Sequence, residues 1–291
     1  MDLQKISAMR FRNITPLIIA AVFTSCDSET HEDEHGLVVS LSREYTESIA
    51  DNISDVRCGL TAAGGQLAVS RFNSAENLSA NVFDVASGSY TVAVATNLTP
   101  NFNISDAHDY IAINDGVSNP GHAYYGRSEA TVKDHGLSRA NVSLRSVLAT
   151  LTVTVNNLPI ASQLDVEVAN AATGLYPFIL DETTGNYGVA DSNSIAMSIP
   201  SAAGDQTITS TGNLMPTVAT STNSVLHITV TTSNGYTHTT NAVAPKMYPG
   251  GHYIFEVTYE DLYSDLILSG IRINSWTEGW VINGEVPSPI N

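Results

Sequence analysis

From residue 148 to 155 the chain reads LATLTVTV, a strict apolar–polar alternation rich in β-branched Val and Thr. A period of two puts one set of side chains on a core face and the other toward solvent. β-Branched side chains favour that extended backbone over a helix. The same period recurs in short runs bounded by Gly, Asn, Ser and Pro. Before this stretch, strands are predicted at 37–41, 66–72, 81–85, 90–96, 123–132 and 140–144. After it they are predicted at 164–169, 176–180, 195–199, 206–211, 225–231, 236–243 and 252–259. Turns are expected at Asn157-Leu-Pro159, at residues 182–185, at Ser233-Asn234-Gly235 and at Pro249-Gly-Gly251. Residues 98–119, polar and broken by Pro100, read as a long loop, and 48–56 as a short helix. About fourteen short strands without a long amphipathic helix predict an all-β fold of sandwiches. One sandwich rarely needs so long a chain, so two are expected in tandem, at 37–146 and 147–291.

The 291 residues include 29 acidic and 12 basic side chains, a net charge of −17. Such a chain repels phosphates, which argues against nucleic-acid binding. Hydrophobic residues make up 43%, enough to build cores, so wholesale disorder is not expected. Two cysteines, Cys26 and Cys58, exclude a disulfide scaffold and a Cys-rich zinc module. Cys58 reads as a buried, free, small apolar residue.

Residues 1–25 read as a targeting segment. Lys5, Arg10 and Arg12 precede the apolar run ITPLIIAAVF, which ends at Thr24-Ser25-Cys26. At about ten residues the run is half the ~20 that a membrane-spanning helix requires. The order of charge, apolar run, small residue and cysteine resembles the bacterial lipobox. That resemblance implies a signal peptide cleaved before Cys26 and acyl chains, palmitate among them, attached to Cys26. Residues 26–36 then form an acidic lipidated tether, similar to the surface-export signal of Bacteroidetes lipoproteins. The expected location is the surface-exposed face of the outer membrane.

The tether contains His31-Glu-Asp-Glu-His35, formally the H-E-x-x-H pattern of zinc peptidases. That chemistry needs a packed helix, a third ligand and a cleft, and nothing around an acidic tether supplies them. There is no G-x-S-x-G elbow, phosphate loop or convincing Ser/His/Asp order. The carboxylate pairs Asp181-Glu182 and Glu260-Asp261 fall at turns. No enzyme, metal site or cofactor is predicted.

Three segments carry a resemblance to a known family. Residues 141–155, NVSLRSVLATLTVTV, join one strand to the next through Arg145. Residues 248–257, YPGGHYIFEV, place a Gly-rich turn before an alternating strand, and residues 273–286 carry Trp276 and Trp280. Together with the lipobox they resemble the fimbrial anchor and minor-subunit lipoproteins of Bacteroidetes, within the fimbrillin superfamily. The resemblance implies two transthyretin-like, Greek-key β-sandwiches. It also implies a role as anchor or accessory pilus subunit in fimbria assembly, attachment and cell adhesion, with other fimbrial subunits as partners by strand addition. Host or bacterial surface molecules are further candidate ligands.

In such families shaft subunits lose a first strand by cleavage after an arginine, and Arg43, Arg57 and Arg71 lie in that region. An anchor must keep Cys26 joined to its body, so none of the three is expected to be cut. Arg145 reads as a junction ion-pair or carbonyl partner, with ligand contact as the alternative. Trp276 and Trp280 read as core and edge anchors, or else as a sugar platform. The final strand is either intrachain or donated to the next subunit. Tyr124 and Tyr125 could stack on a glycan, although alternation buries one of them. The competing function is a surface glycan-binding lipoprotein; a hydrolase with a shallow site is a distant third.

Overall fold

In the computed structural model, residues 35–43, 53–105, 109–260 and 262 are described, together with the backbone of 271–274. Alternation becomes strand almost throughout. The first sheet comprises β1 (Gly36–Arg43), β2 (Val56–Ala62), β3 (Gly65–Phe72), β4 (Val82–Phe83), β5 (Gly88–Thr96), β8 (Tyr124–Val132) and β9 (Leu137–Ser146). Its order is β3-β2-β5-β8-β9-β1-β4. β8 and β9 pair at only two positions, Tyr124↔Ser146 and Tyr125↔Arg145. The side chains of β1 and β9 (Leu37, Val39, Val142, Leu144) share one core with those of β2 and β5 (Cys58, Leu60, Val92, Val94). The sheet thus folds over on itself as a sandwich.

A helix occurs where none was expected. α1 (Ala75–Ser79) is capped by Ser74, whose Oγ accepts from the Asn77 N–H at 3.2 Å, and it buries Leu78. The helix expected at 48–56 falls largely on residues outside those described; Val56 itself opens β2.

The second half is built on two very long strands, β10 (Ala149–Ala172) and β13 (Ser194–Leu214), which pair antiparallel along their length. Four register shifts interrupt the pairing, and Asn157, Ala161 and Gln206 adopt positive φ. These bulges bend the ribbon. Near its start β10 pairs in parallel with β16 (His252–Thr258); further on it pairs antiparallel with β14 (Asn223–Thr231). β15 (Thr237–Pro245) flanks β14, and β17 (Ile271–Asn274) flanks β16. Leu151, Val153, Leu164, Val166, Ile228 and Phe255 meet in one core. The expected turn at Asn157-Leu-Pro159 is therefore a bulge within a strand. The expected pairs of strands at 148–155 and 164–169, and at 195–199 and 206–211, are each a single bent strand.

The third sheet corrects the loop reading of residues 98–119. β6 (Phe102–Ile104) and β7 (Ile111–Ile113) form a hairpin that joins β11 (Gly174–Asp181) and β12 (Asn186–Ala190), in the order β12-β11-β7-β6. Buried Phe102 and Ile111 hold it to the second core. Not every pairing is antiparallel, as alternation alone suggested: β1 with β9 and β10 with β16 are parallel.

Cys58 is buried and forms no disulfide, as its context suggested. Burial alone pushes its thiol up to about 12. We expect native protein at pH 8 to resist alkylation at Cys58 by iodoacetamide and to react on denaturation; equal rates in the two states would contradict its burial. The raised value also means that the unfolded chain ionises first. This group's contribution to stability is complete below the ordinary thiol range and is lost as pH rises toward 12.

Candidate functional site: an open sheet edge

For a protein built of sheets, the chemistry on offer lies at strands with one unpaired side. β15 pairs only with β14 among the described strands, over nine residue pairs without a register shift. The Thr232 N–H donates to the Tyr236 carbonyl at 2.9 Å and closes the turn. Alternation from that pair makes Thr231/Thr237, Thr229/Thr239, His227/Asn241 and Val225/Val243 the pairs without mutual main-chain bonds. Side chains approach most closely in such pairs, and these do: Thr231–Thr237 hydroxyls at 3.3 Å, Thr229–Thr239 at 2.9 Å, and His227 Nδ1 to Asn241 Oδ1 at 2.5 Å. Pro245 falls in the same class, where no N–H is needed. The N–H and C=O groups of Thr237, Thr239, Asn241 and Val243 therefore point away from β14.

The edge is also poorly defended. Its sequence, THTTNAVAP, carries no formal charge and no proline before its last residue. Val243 is 65% exposed. On the opposite face Ala242 and Ala244 are buried and belong to the second core. The other described edges are blunted. β4, β6 and β17 are short, and β13 is broken by bulges and Pro200. β3 carries the exposed Arg71. β12 is engaged from the side: the Tyr125 hydroxyl donates to the Tyr187 carbonyl at 2.5 Å.

The residues singled out from sequence are dispersed. Cys26, Trp276 and Trp280 lie outside the described residues. Arg43 ends β1, opposite Leu144. Arg57 sits within β2, between Ala95 and Arg71, and its guanidinium lies 3.2 Å from Asp55 Oδ2. Burial opposes ionisation of Asp55, but bonds from the Thr99 hydroxyl and Arg57 outweigh it and hold the carboxyl below its usual range. Cleavage after Arg57 or Arg71 would require unpairing a strand. Arg145, half-buried in β9, stands opposite Tyr125 at the end of the first sheet. Both tyrosines of the Tyr124-Tyr125 pair are buried, on opposite faces of β8: Tyr124 enters the first core and Tyr125 the second. Neither offers a glycan platform. Of the H-E-x-x-H pattern only His35 is described, and its Nε2 lies 2.9 Å from the Val85 carbonyl. Among the described residues no group of three His, Cys, Asp or Glu is placed to hold a metal ion.

A family model for fimbrillin-A associated anchor proteins matches residues 62–281. No curated protein sequence matches significantly. Among solved structures, a candidate cell adhesion protein from Bacteroides uniformis superposes with a TM-score of 0.55 at 12% identity, covering 85% of this chain and 99% of its own. A candidate polysaccharide-binding protein from Bacteroides thetaiotaomicron gives 0.53 at 10% identity, covering 84% and 97%. A candidate adhesin from the same organism gives 0.51 at 12% identity, with the same coverage.

Proposed function

Because the chain belongs to the fimbrillin-A associated anchor protein family, we propose that it is an anchor or accessory subunit of a surface fimbria. Acyl chains on Cys26 hold it to the outer membrane, and the open edge of β15 receives a strand from a neighbouring subunit. Its body stays joined to Cys26, uncut at Arg43, Arg57 and Arg71. The observation that carries the reading is the uncharged, regular β15 edge with four outward backbone positions. Strand addition there would gain main-chain hydrogen bonds at those four positions. Among the described residues no helix is long and apolar enough to cross a membrane, so the described part supplies no competing helical anchor.

The test uses positions whose N–H groups β14 does not need. Asn241→Pro removes an outward donor and Val243→Lys places a charge on the edge, and both chains are expected to fold. The one main-chain bond lost in Asn241→Pro is worth about 1 kcal/mol, so roughly a fivefold drop is expected in the amount co-purifying with fimbriae, and the charge introduced by Val243→Lys is expected to lower it as well. If both variants join fimbriae at the wild-type level, β15 is not the acceptor. Surface material whose body starts at Glu44, Cys58 or Phe72 would instead identify a processed shaft or tip subunit.

A further inference from the structure

The outward face of the third sheet carries tyrosines that neither assembly nor the cores employ. Extending the pairing Ala112↔Gly174 and Ile111↔Leu175 by one residue sets Tyr110 opposite Tyr176, which in turn stands opposite Val189. Directly opposed residues share a face. Tyr110 lies across the sheet over Gly174, where a Cβ would meet its hydroxyl at 2.1 Å and its Cζ at 2.2 Å. The missing side chain makes room for the ring. The hydroxyl donates to Asp191 Oδ2 at 2.6 Å. That carboxylate, 6% exposed, also accepts from the Thr173 hydroxyl at 2.6 Å and from the backbone N–H groups of Thr173 and Asn193, each at 3.2 Å. The Tyr176 ring rests 4.9 Å from that of Tyr110, tilted by 45°, and remains 37% exposed.

We propose that this face is a binding site for an uncharged carbohydrate, with a pyranose ring stacked on Tyr176. A pyranose presents a face of C–H bonds with partial positive charge, complementary to the negative face of an aromatic ring. Tyr110 is a positioning residue: pinned at its hydroxyl and seated over Gly174, it fixes Tyr176 in advance and so lowers the ordering cost of binding. Charge selects among occupants. Asp181 and Glu182 stand at the tip of this hairpin, and the whole chain carries −17, so an acidic glycan or a second copy of the chain meets repulsion. A neutral sugar does not.

The test takes the full chain and measures binding of maltoheptaose, cellohexaose and mannohexaose by calorimetry and saturation-transfer NMR, with polygalacturonate as the charged comparison. At least one neutral oligosaccharide is expected to bind and to show transfer from tyrosine protons. Tyr176→Ala is expected to weaken it by about tenfold or more, whereas Tyr176→Trp retains binding. Tyr110→Phe keeps the ring but frees its pinned end, and a several-fold loss is expected. Thermal melts confirm that each variant is folded, and Asn241→Pro, altered only at the assembly edge, binds sugar as wild type does. The site is refuted if none of the three neutral oligosaccharides binds at about 10 mM. It is equally refuted if Tyr176→Ala binds as tightly as wild type, if polygalacturonate is preferred, or if Tyr176→Ala abolishes subunit association while sugar binding is absent throughout.

Discussion

Replacing Tyr125 with alanine is expected to cost about 3–5 kcal/mol and lower the melting temperature by roughly 10 °C. The ring is 2% exposed, packs edge-on to Phe178 at 6.3 Å, and donates its hydroxyl to the Tyr187 carbonyl. Gly188 follows that carbonyl at φ +111°, and a Cβ there would strike the Tyr125 hydroxyl at 2.1 Å, so the hairpin is shaped around this side chain. Tyr125→Phe should cost less, about 1–3 kcal/mol, because only the donor is lost. The position of the effect matters as much as its size. Tyr125 lies in the segment 37–146, yet its ring belongs to the core built chiefly from residues 147 onward. If the two segments unfold as separate domains, Tyr125→Ala lowers the transition of the second and Tyr124→Ala that of the first. Calorimetry of both variants decides this. A Tyr125→Ala protein melting within about 2 °C of wild type would refute the packing described.

That pair of tyrosines marks what a sequence can and cannot convey. Alternation correctly puts Tyr124 and Tyr125 on opposite faces, but it assumes that one face meets solvent. Here the first residues of β8 are covered on both sides, by the first core and by the third sheet, and coverage is a property of distant segments. The same reasoning separates the strands that were legible from those that were not. β5, β14 and β16 carry clean periods of two and occupy nearly the expected ranges. β6 and β7 are three residues each, too short for any period to register. They are held by buried Phe102 and Ile111 and by bonds from Asn103 to Asn114 and from Asn114 to the Pro100 carbonyl. In β10 the Asn157-Leu-Pro159 segment has the chemistry of a turn, yet continuous pairing with β13 on either side holds it as a bulge. α1 left a local trace, Ser74 with Glu76 in the first turn, which is the composition of a capped start. The candidate site is legible in one respect only. THTTNAVAP announces a strand, whereas its standing at an edge follows from topology. Cross-strand tyrosines such as Tyr110 and Tyr176, 66 positions apart, leave no sequence signal of their proximity.

The Cys26→Ala variant is expected to leave the membrane fraction altogether, the largest effect foreseen for this chain. Each buried methylene of an acyl chain contributes about 0.8 kcal/mol, and a single chain holds a protein to a bilayer only marginally. The acidic residues around position 30 and the net charge of −17 add repulsion from an anionic membrane surface rather than attraction. No polybasic patch is present to serve as the second signal, so stable attachment requires two or more acyl chains on the one cysteine. Removing the thiol removes the attachment point, and nothing electrostatic remains to compensate. The expected results are a wild-type protein that partitions into detergent and incorporates labelled palmitate at Cys26, and a Cys26→Ala protein that does neither and appears in the soluble fraction. A Cys26→Ala protein that still partitions into detergent would show that another segment anchors the chain, and the membrane-proximal role proposed here would have to be rebuilt on that segment.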